Sequence, residues 1–221
     1  MILDAILISL KVASVATFFS FIFGIILAHS IIKGNWRFKG IIETIILCPM
    51  FLPPSVIGYL LLIVVGRNGI IGSALYNTFG IRLVFTWMGA AIAAFIVSLP
   101  IMYQSAKATF TSLSSDYADS ARVMGADEWT IFKNITLPLS IRGIISGLIL
   151  SFGRAFGEFG ATLMVAGNIP GKTQTIPMAI YYAVESGDLK NGNLLVFITI
   201  SVSFIFIAVS NRLLKKSNIY E

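Results

Sequence analysis

Four stretches of this 221-residue chain run for 21 to 24 residues without a charged side chain, at 12–32, 44–66, 83–106 and 191–211. A fifth apolar stretch, 143–165, is interrupted by Arg154 and Glu158. A helix needs about 20 apolar residues to cross the hydrocarbon core of a bilayer. Lipid offers the backbone no hydrogen-bond partner, so helix is the state such stretches must take. The expectation is an all-α fold, a polytopic membrane helix bundle of about five transmembrane helices with short cytoplasmic helices attached. The spans fall at approximately 3–32, 44–66, 83–106, 139–166 and 191–212, within a single transmembrane domain covering 1–221 and with no soluble domain appended.

Charge supports this reading by its scarcity and its placement. Only 12% of the residues are charged, about half the share in soluble domains, which excludes a water-soluble globule. Cys48 and His29 are the only residues of their types, too few for a disulfide framework or a Cys/His metal cluster. No metal and no cofactor is expected. The first apolar run exceeds a signal-peptide core and lacks a basic stretch before it. Cytoplasmic connections collect Lys and Arg. Lys33, Arg37 and Lys39 lie in one connection, Lys107, Arg122, Lys133 and Arg142 in another, and Arg212, Lys215 and Lys216 in the tail. Against these ten stand Arg67, Arg82, Lys172 and Lys190 on the other side. The bias places the N-terminus outside, the C-terminus inside and the long connection at 107–138 in the cytoplasm.

Smaller features refine the spans. Pro49, Pro53 and Pro54 should kink the second span near its start. The outer segments 67–82 and 166–190 are rich in turn residues, and each holds an apolar stretch too short to span. Gly143, Gly147, Gly153, Gly157 and Ala161 give the fourth span a face of small residues, suited to a second copy or to another helix of the same chain. His29 reads as packed or interfacial, Cys48 as core, and Trp36, Trp87, Tyr103 and Tyr220 as belt residues near span ends. Arg154 and Glu158 lie four apart on the fourth span, where an unpaired charge costs at least about 2.5–3.5 kcal/mol. Either they brace the helix as a pair, or Arg154 briefly offsets an anion's charge, with Glu158 limiting its grip and Thr162 supplying a hydroxyl.

The connection reads SLSSDYADSARVMGADEWTIFKNITLP over 112–138. Ser114 or Ser115 can cap a first short helix with Asp116 in its first turn. Gly125 suits a left-handed stop, Ala126 or Asp127 restarts the helix, and Pro138 marks the return to the membrane. Trp129, Phe132 and Ile135 recur every third residue as an apolar stripe. Such a helix-turn-helix with exposed aromatics is built either to dock onto another protein or to pack on its own membrane domain.

This segment resembles the coupling-loop signature of ABC importer permeases, which is Glu-Ala-Ala, three residues, Gly, nine residues, then Ile-x-Leu-Pro. Here the positions are Asp119, Ser120 and Ala121, then Gly125, then Ile135, Thr136, Leu137 and Pro138. Asp replaces Glu and Ser replaces the first Ala. Further runs, LCPMFLPPSVIGYLLL, GRNGIIG, FGIRLVFTW and FGRAFGEFGATLMVAGNIPGKTQTIPMAIY, extend the resemblance over roughly 7–214, to molybdate-type oxyanion permeases of the type I fold. The resemblance implies a cell inner-membrane permease that works as a homodimer with its path on the two-fold axis. It also implies two cytoplasmic ABC ATPase subunits and an extracytoplasmic oxyanion-binding protein as partners. It makes Asp119, Ser120, Ala121, Gly125, Trp129, Phe132, Ile135, Leu137 and Pro138 the ATPase-coupling residues, and leaves Arg154, Glu158 and Thr162 as pathway candidates. ATP closure of the motor would draw the loops together and tilt the fourth and fifth spans through a hinge at Pro138.

Several alternatives are weighed against this reading. The run from Gly167 to Thr173 superficially resembles a phosphate-cradling loop, but the required first Gly would fall at Ala166, no strand precedes it, and the charge bias puts it outside. It reads instead as an outer loop facing the binding protein, so the chain has no ATP site of its own and is not an enzyme. A secondary transporter would carry two related halves with broken helices, and an intramembrane enzyme would need convergent acid, base or metal groups; neither pattern is evident. Sulfate, thiosulfate and tungstate compete with molybdate as cargo. No nucleic-acid partner is expected.

Overall fold

The first helix carries a stripe of small residues that decides how the bundle assembles. Ala5, Ser9, Ala13, Ala16, Ser20, Gly24 and Ala28 recur every three or four positions and are all buried. Apolar side chains gain little by leaving lipid for protein, so membrane helices associate where small residues let backbones approach. The partner helix presents Ala90, Ala93, Ala94 and Ser98, each fully buried. Ser20 and Ser98 share a hydroxyl–hydroxyl hydrogen bond of 2.7 Å across the seam.

The computed structural model describes residues 2–34 and 37–216, and every regular element among them is helical. In order these are α1 (Ile2–Lys33), α2 (Lys39–Leu47), α3 (Pro54–Val65), α4 (Ile70–Phe79), α5 (Trp87–Ser112), α6 (Ser115–Val123), α7 (Glu128–Ile131), α8 (Leu137–Leu139), α9 (Ile141–Phe156), α10 (Gly160–Ala166), α11 (Ile176–Glu185) and α12 (Leu189–Lys216). A 3₁₀ turn, Cys48–Met50, follows α2, and a π-helical turn, Phe132–Thr136, joins α7 to α8. The centre of the bundle is α5, packed between α1 and α9, while α10 packs on both α3 and α5. Helix α12 pairs with α11 and leaves most of its apolar surface uncovered by the rest of the chain.

Three helices, α1, α5 and α12, are long and apolar enough to cross a membrane. The second and fourth spans are broken rather than continuous. Lys39–Met50 and Pro54–Val65 meet at 115°, far beyond a kink, because Pro54 forces Pro53 into an extended conformation (φ −55, ψ 139). Helix α3 alone, 12 residues long, reaches only about 18 Å. Glu128–Leu139 and Ile141–Phe156 meet at 71°, with the turn at Ser140 (φ −91, ψ 0). The expected hinge residue, Pro138, sits two positions earlier inside a helical turn. The fourth span breaks again at residues 157–159, between α9 and α10.

Two further expectations change, and one left open is decided. Cys48 is exposed, because the corner after α2 turns it away from the bundle. Tyr103 is fully buried rather than in an interfacial belt, since α5 continues to Ser112 and carries Tyr103 into the helix interior. The small-residue face of α9 is used within the chain: a Cβ at Gly143 would collide with Thr109, and one at Gly147 with Ser105. Only from Gly153, where a Cβ would meet nothing within 4 Å, does that face open. Trp36 and Tyr220 lie outside the described residues.

Candidate docking loop and charged helix break

The loop between α5 and α9 is held by local hydrogen bonds that its sequence dictates. Ser114 caps α6, its hydroxyl accepting from the Asp116 amide at 3.3 Å. The helix ends in a left-handed stop at Gly125 (φ +87). The Ala126 amide donates to the Ala121 carbonyl at 3.0 Å and the Gly125 amide to the Arg122 carbonyl at 2.9 Å. These paired bonds form a Schellman closure, which needs a residue that tolerates positive φ. Asp127 then precedes α7, with its carboxylate accepting from the Thr130 hydroxyl. That bond holds the Asp127 carboxyl below its ordinary pKa.

The aromatic stripe divides instead of facing one way. Phe132 is buried, 4.1 Å from the His29 ring and 6.1 Å from Phe110. Ile131 beside it is fully buried. Trp129 remains 67% exposed, and Ile135 and Leu137 are half-buried. Pro138 has no amide hydrogen, and the preceding turn widens so that the Leu137 amide reaches the Phe132 carbonyl. This shift to π-helical spacing breaks the three-residue period. Of the signature residues, Ala121 is buried under α6, while Asp119, Ser120, Gly125 and Pro138 face outward.

Two features of the loop lie beyond the sequence reading. Val123 and Met124 are 89% and 81% exposed and immediately precede Gly125. With Tyr117 and Trp129 they give the turn an uncovered apolar surface. These side chains cluster around one glycine-closed turn, leaving an apolar surface that the rest of the chain does not cover. Their bulk beside the glycine was the available signal. Glu128 ties the loop to the bundle: its carboxylate pairs with Arg122 Nε at 2.6 Å and with Lys33 at the C-terminal end of α1. Hydrogen bonds from Arg122, then Lys33, pull the Glu128 carboxyl down to about 2. Arg122 also pairs with Asp119.

The second candidate site is the gap between α9 and α10. Arg154, in the last turn of α9, donates to Glu158 at 2.7 Å. The other Glu158 oxygen accepts the Ala161 amide at 2.9 Å. The carboxylate thus offsets both the guanidinium and an orphan amide at the start of α10, as a helix N-terminus favours. Glu158 is 2% exposed and the Arg154 side chain 35%. Thr162 is buried, and its hydroxyl has no hydrogen-bond partner among the described residues. Gly160 lies where α10 meets the α2–α3 corner, and a Cβ there would come within 2.7 Å of Pro54. The two helix breaks therefore abut.

Beyond α10 the run from Gly167 to Thr173 is a tight turn. The Thr173 hydroxyl donates to the Gly167 carbonyl and accepts the Ile169 amide, both at 3.0 Å. The Ile176 amide then donates to the Ser9 hydroxyl of α1 at 2.7 Å. Thr173, Gln174 and Thr175 are buried, and the Lys172, Thr173 and Gln174 amides all donate to the Ile169 carbonyl. Among the described residues no cluster of three or more His, Cys, Asp or Glu could hold a metal ion.

Comparison with known proteins adds the wider setting. Residues 20–217 match the family described as "Binding-protein-dependent transport system inner membrane component". The chain is 40% identical over 215 residues to the molybdenum transport system permease protein ModB of Escherichia coli K12, covering 97% of this chain and 94% of that one. It is 42% identical over 183 residues to the putative molybdenum transport system permease protein YvgM of Bacillus subtilis, covering 83% and 81%. Among solved structures it resembles the inward-facing MetNI methionine ABC transporter, with a TM-score of 0.77 at 14% identity and coverage of 98% and 95%. A bacterial alginate ABC importer aligns with a TM-score of 0.74 at 20% identity, covering 97% and 79%.

Proposed function

The chain belongs to the binding-protein-dependent transport inner-membrane family, and from that premise we propose that it is the permease subunit through which an ABC importer moves molybdate or a closely related oxyanion. The observation that carries the cargo is 40% identity along nearly the whole chain to a molybdenum permease. A probable sulfate permease of Chlorokybus atmophyticus at 30% identity supports sulfate as the second reading.

Molybdate is a hydrated dianion to which lipid is closed, and so few helices are a poor enclosure for a path gated at both ends. Two copies around a two-fold axis are the economical arrangement. In this reading the N-terminus is outside, α6 and α7 face the cytoplasm, and each loop docks on one of two ATPase subunits. Val123, Met124 and Trp129 fill a cleft in the motor, with Asp119, Ser120 and Gly125 at its rim. An extracytoplasmic binding protein loads the outer face near the turn at 167–175.

The loop moves as one body because Glu128, Arg122 and the Gly125 closure fix its two helices together. Motor closure then turns α9 about Ser140, and the break at 157–159 lets α10 respond separately. Arg154 and Glu158 brace that break; the guanidinium is partly exposed, so its free edge is the candidate contact for a passing anion. The deciding experiment is uptake of labelled molybdate, tungstate and sulfate by vesicles containing the permease, its ATPase and its binding protein. Uptake that persists without ATP on an ion gradient would overturn the reading. Unchanged uptake by Arg154→Gln at normal protein level would remove Arg154 from the path.

A further inference from the structure

Arg67 and Arg82 lie at opposite ends of the segment containing α4, yet they converge. Each guanidinium sits 5.2 Å from the centre of the Tyr76 ring, and Arg82 donates to the Tyr76 hydroxyl at 3.5 Å. Both line one cavity of about 340 Å³ whose walls include Leu62, Val65, Leu83 and Val84. Neither arginine pairs with a carboxylate among the described residues. The sequence explains why: no Asp or Glu occurs anywhere between Glu43 and Asp116. The two cations also draw the Tyr76 phenol below its ordinary pKa, Arg82 through its hydrogen bond first.

We propose that this corner binds the phosphodiester headgroup of an anionic phospholipid, with an acyl chain lying along the apolar wall between α3 and α4. Charge complementarity selects the headgroup, since two guanidinium groups face a cavity that supplies no counter-charge. The walls select a lipid over a free oxyanion, which would have to shed hydration onto aliphatic side chains. The setting agrees: α3 ends its apolar run at Val65, and α4 exposes Ile70, Ile71 and Phe79 as an interfacial helix does. The inference is independent of which oxyanion is carried.

The test uses the intact transporter, stripped of lipid and titrated with phosphatidylglycerol or phosphatidylcholine of identical chains, read by native mass spectrometry. Each interfacial arginine is expected to contribute roughly fivefold in affinity, so phosphatidylglycerol should be favoured about 30-fold. The double variant Arg67→Gln/Arg82→Gln should lose that preference, and Arg67→Lys/Arg82→Lys should keep most of it. Millimolar inorganic phosphate or molybdate should not displace the lipid. Equal binding of the two lipids, a preference that survives the Gln pair, or displacement by a free oxyanion each overturns the proposal. Photoreactive phosphatidylglycerol on the unaltered protein must label residues within 62–85; labelling confined elsewhere overturns it without any variant.

Discussion

Replacing Arg154 should cost more stability than replacing Glu158, although each removes the same 2.7 Å ion pair. The asymmetry follows from burial. With Arg154→Gln, a carboxylate that is 2% exposed keeps only the Ala161 amide as partner. Stripping one partner from a buried pair costs 3–5 kcal/mol, and the partial exposure of Arg154 argues for the low end, about 3 kcal/mol. With Glu158→Gln, the amide oxygen can still accept from Ala161. The remaining guanidinium is 35% exposed and sits at a helix C-terminus, where a cation is favoured. About 1 kcal/mol is expected there. The double variant, with no charge left in the break, should return to within about 1 kcal/mol of the original, giving a coupling energy of about 3 kcal/mol. Unfolding in mixed micelles measures all four corners of the cycle. Equal costs for the two single variants, or additive costs in the double, would refute this account of the break.

Gly125→Val places a branched side chain at φ +87, a strain of about 1–2 kcal/mol; the protein should still insert and fold, but copurification with its ATPase should fail. Trp129→Ala should leave stability within about 0.5 kcal/mol while weakening ATPase capture, because that side chain is mostly exposed. Phe132→Ala should cost about 3 kcal/mol in the same unfolding assay, since it empties the contact with His29 and Phe110. The Glu128 carboxyl is lowered to about 2 in the folded loop, against about 4.3 when unfolded. Its stabilising contribution is therefore complete above about pH 4.3 and lost as pH falls toward 2. Trp129 fluorescence should report loosening of the loop in that window, beginning at higher pH in Lys33→Gln.

What the sequence disclosed was the part written in charge and punctuation. The uncharged windows at 12–32, 83–106 and 191–211 became α1, α5 and α12, because lipid leaves a long apolar stretch no other state. Ser114 and Gly125 announced the start and stop of α6 by local chemistry alone. The breaks were harder to see. Three prolines marked the first corner, but not that α2 would swing through more than a right angle. The window at 143–165 concealed the gap after Phe156, because Arg154 and Glu158, four apart, read equally well as a pair along an unbroken helix. The π turn at Phe132–Thr136 redirected a stripe that three-residue spacing had placed on one face. Lys33 and Glu128 are 95 positions apart, and no local pattern joins them.

That last pairing gives α1 a mechanical role. Near one end, Ser9 holds the backbone at Ile176; at the other, Lys33 holds Glu128. The 24 residues separating these contacts form an unbroken rod of about 36 Å, longer than the hydrocarbon core is thick. Any displacement of the loop that preserves both bonds must drag the rod along its axis and tug the turn at 167–175 on the far side. The helix that the charge pattern identified as a simple crossing is then also a tie-bar, through which the two faces of the membrane share one strain.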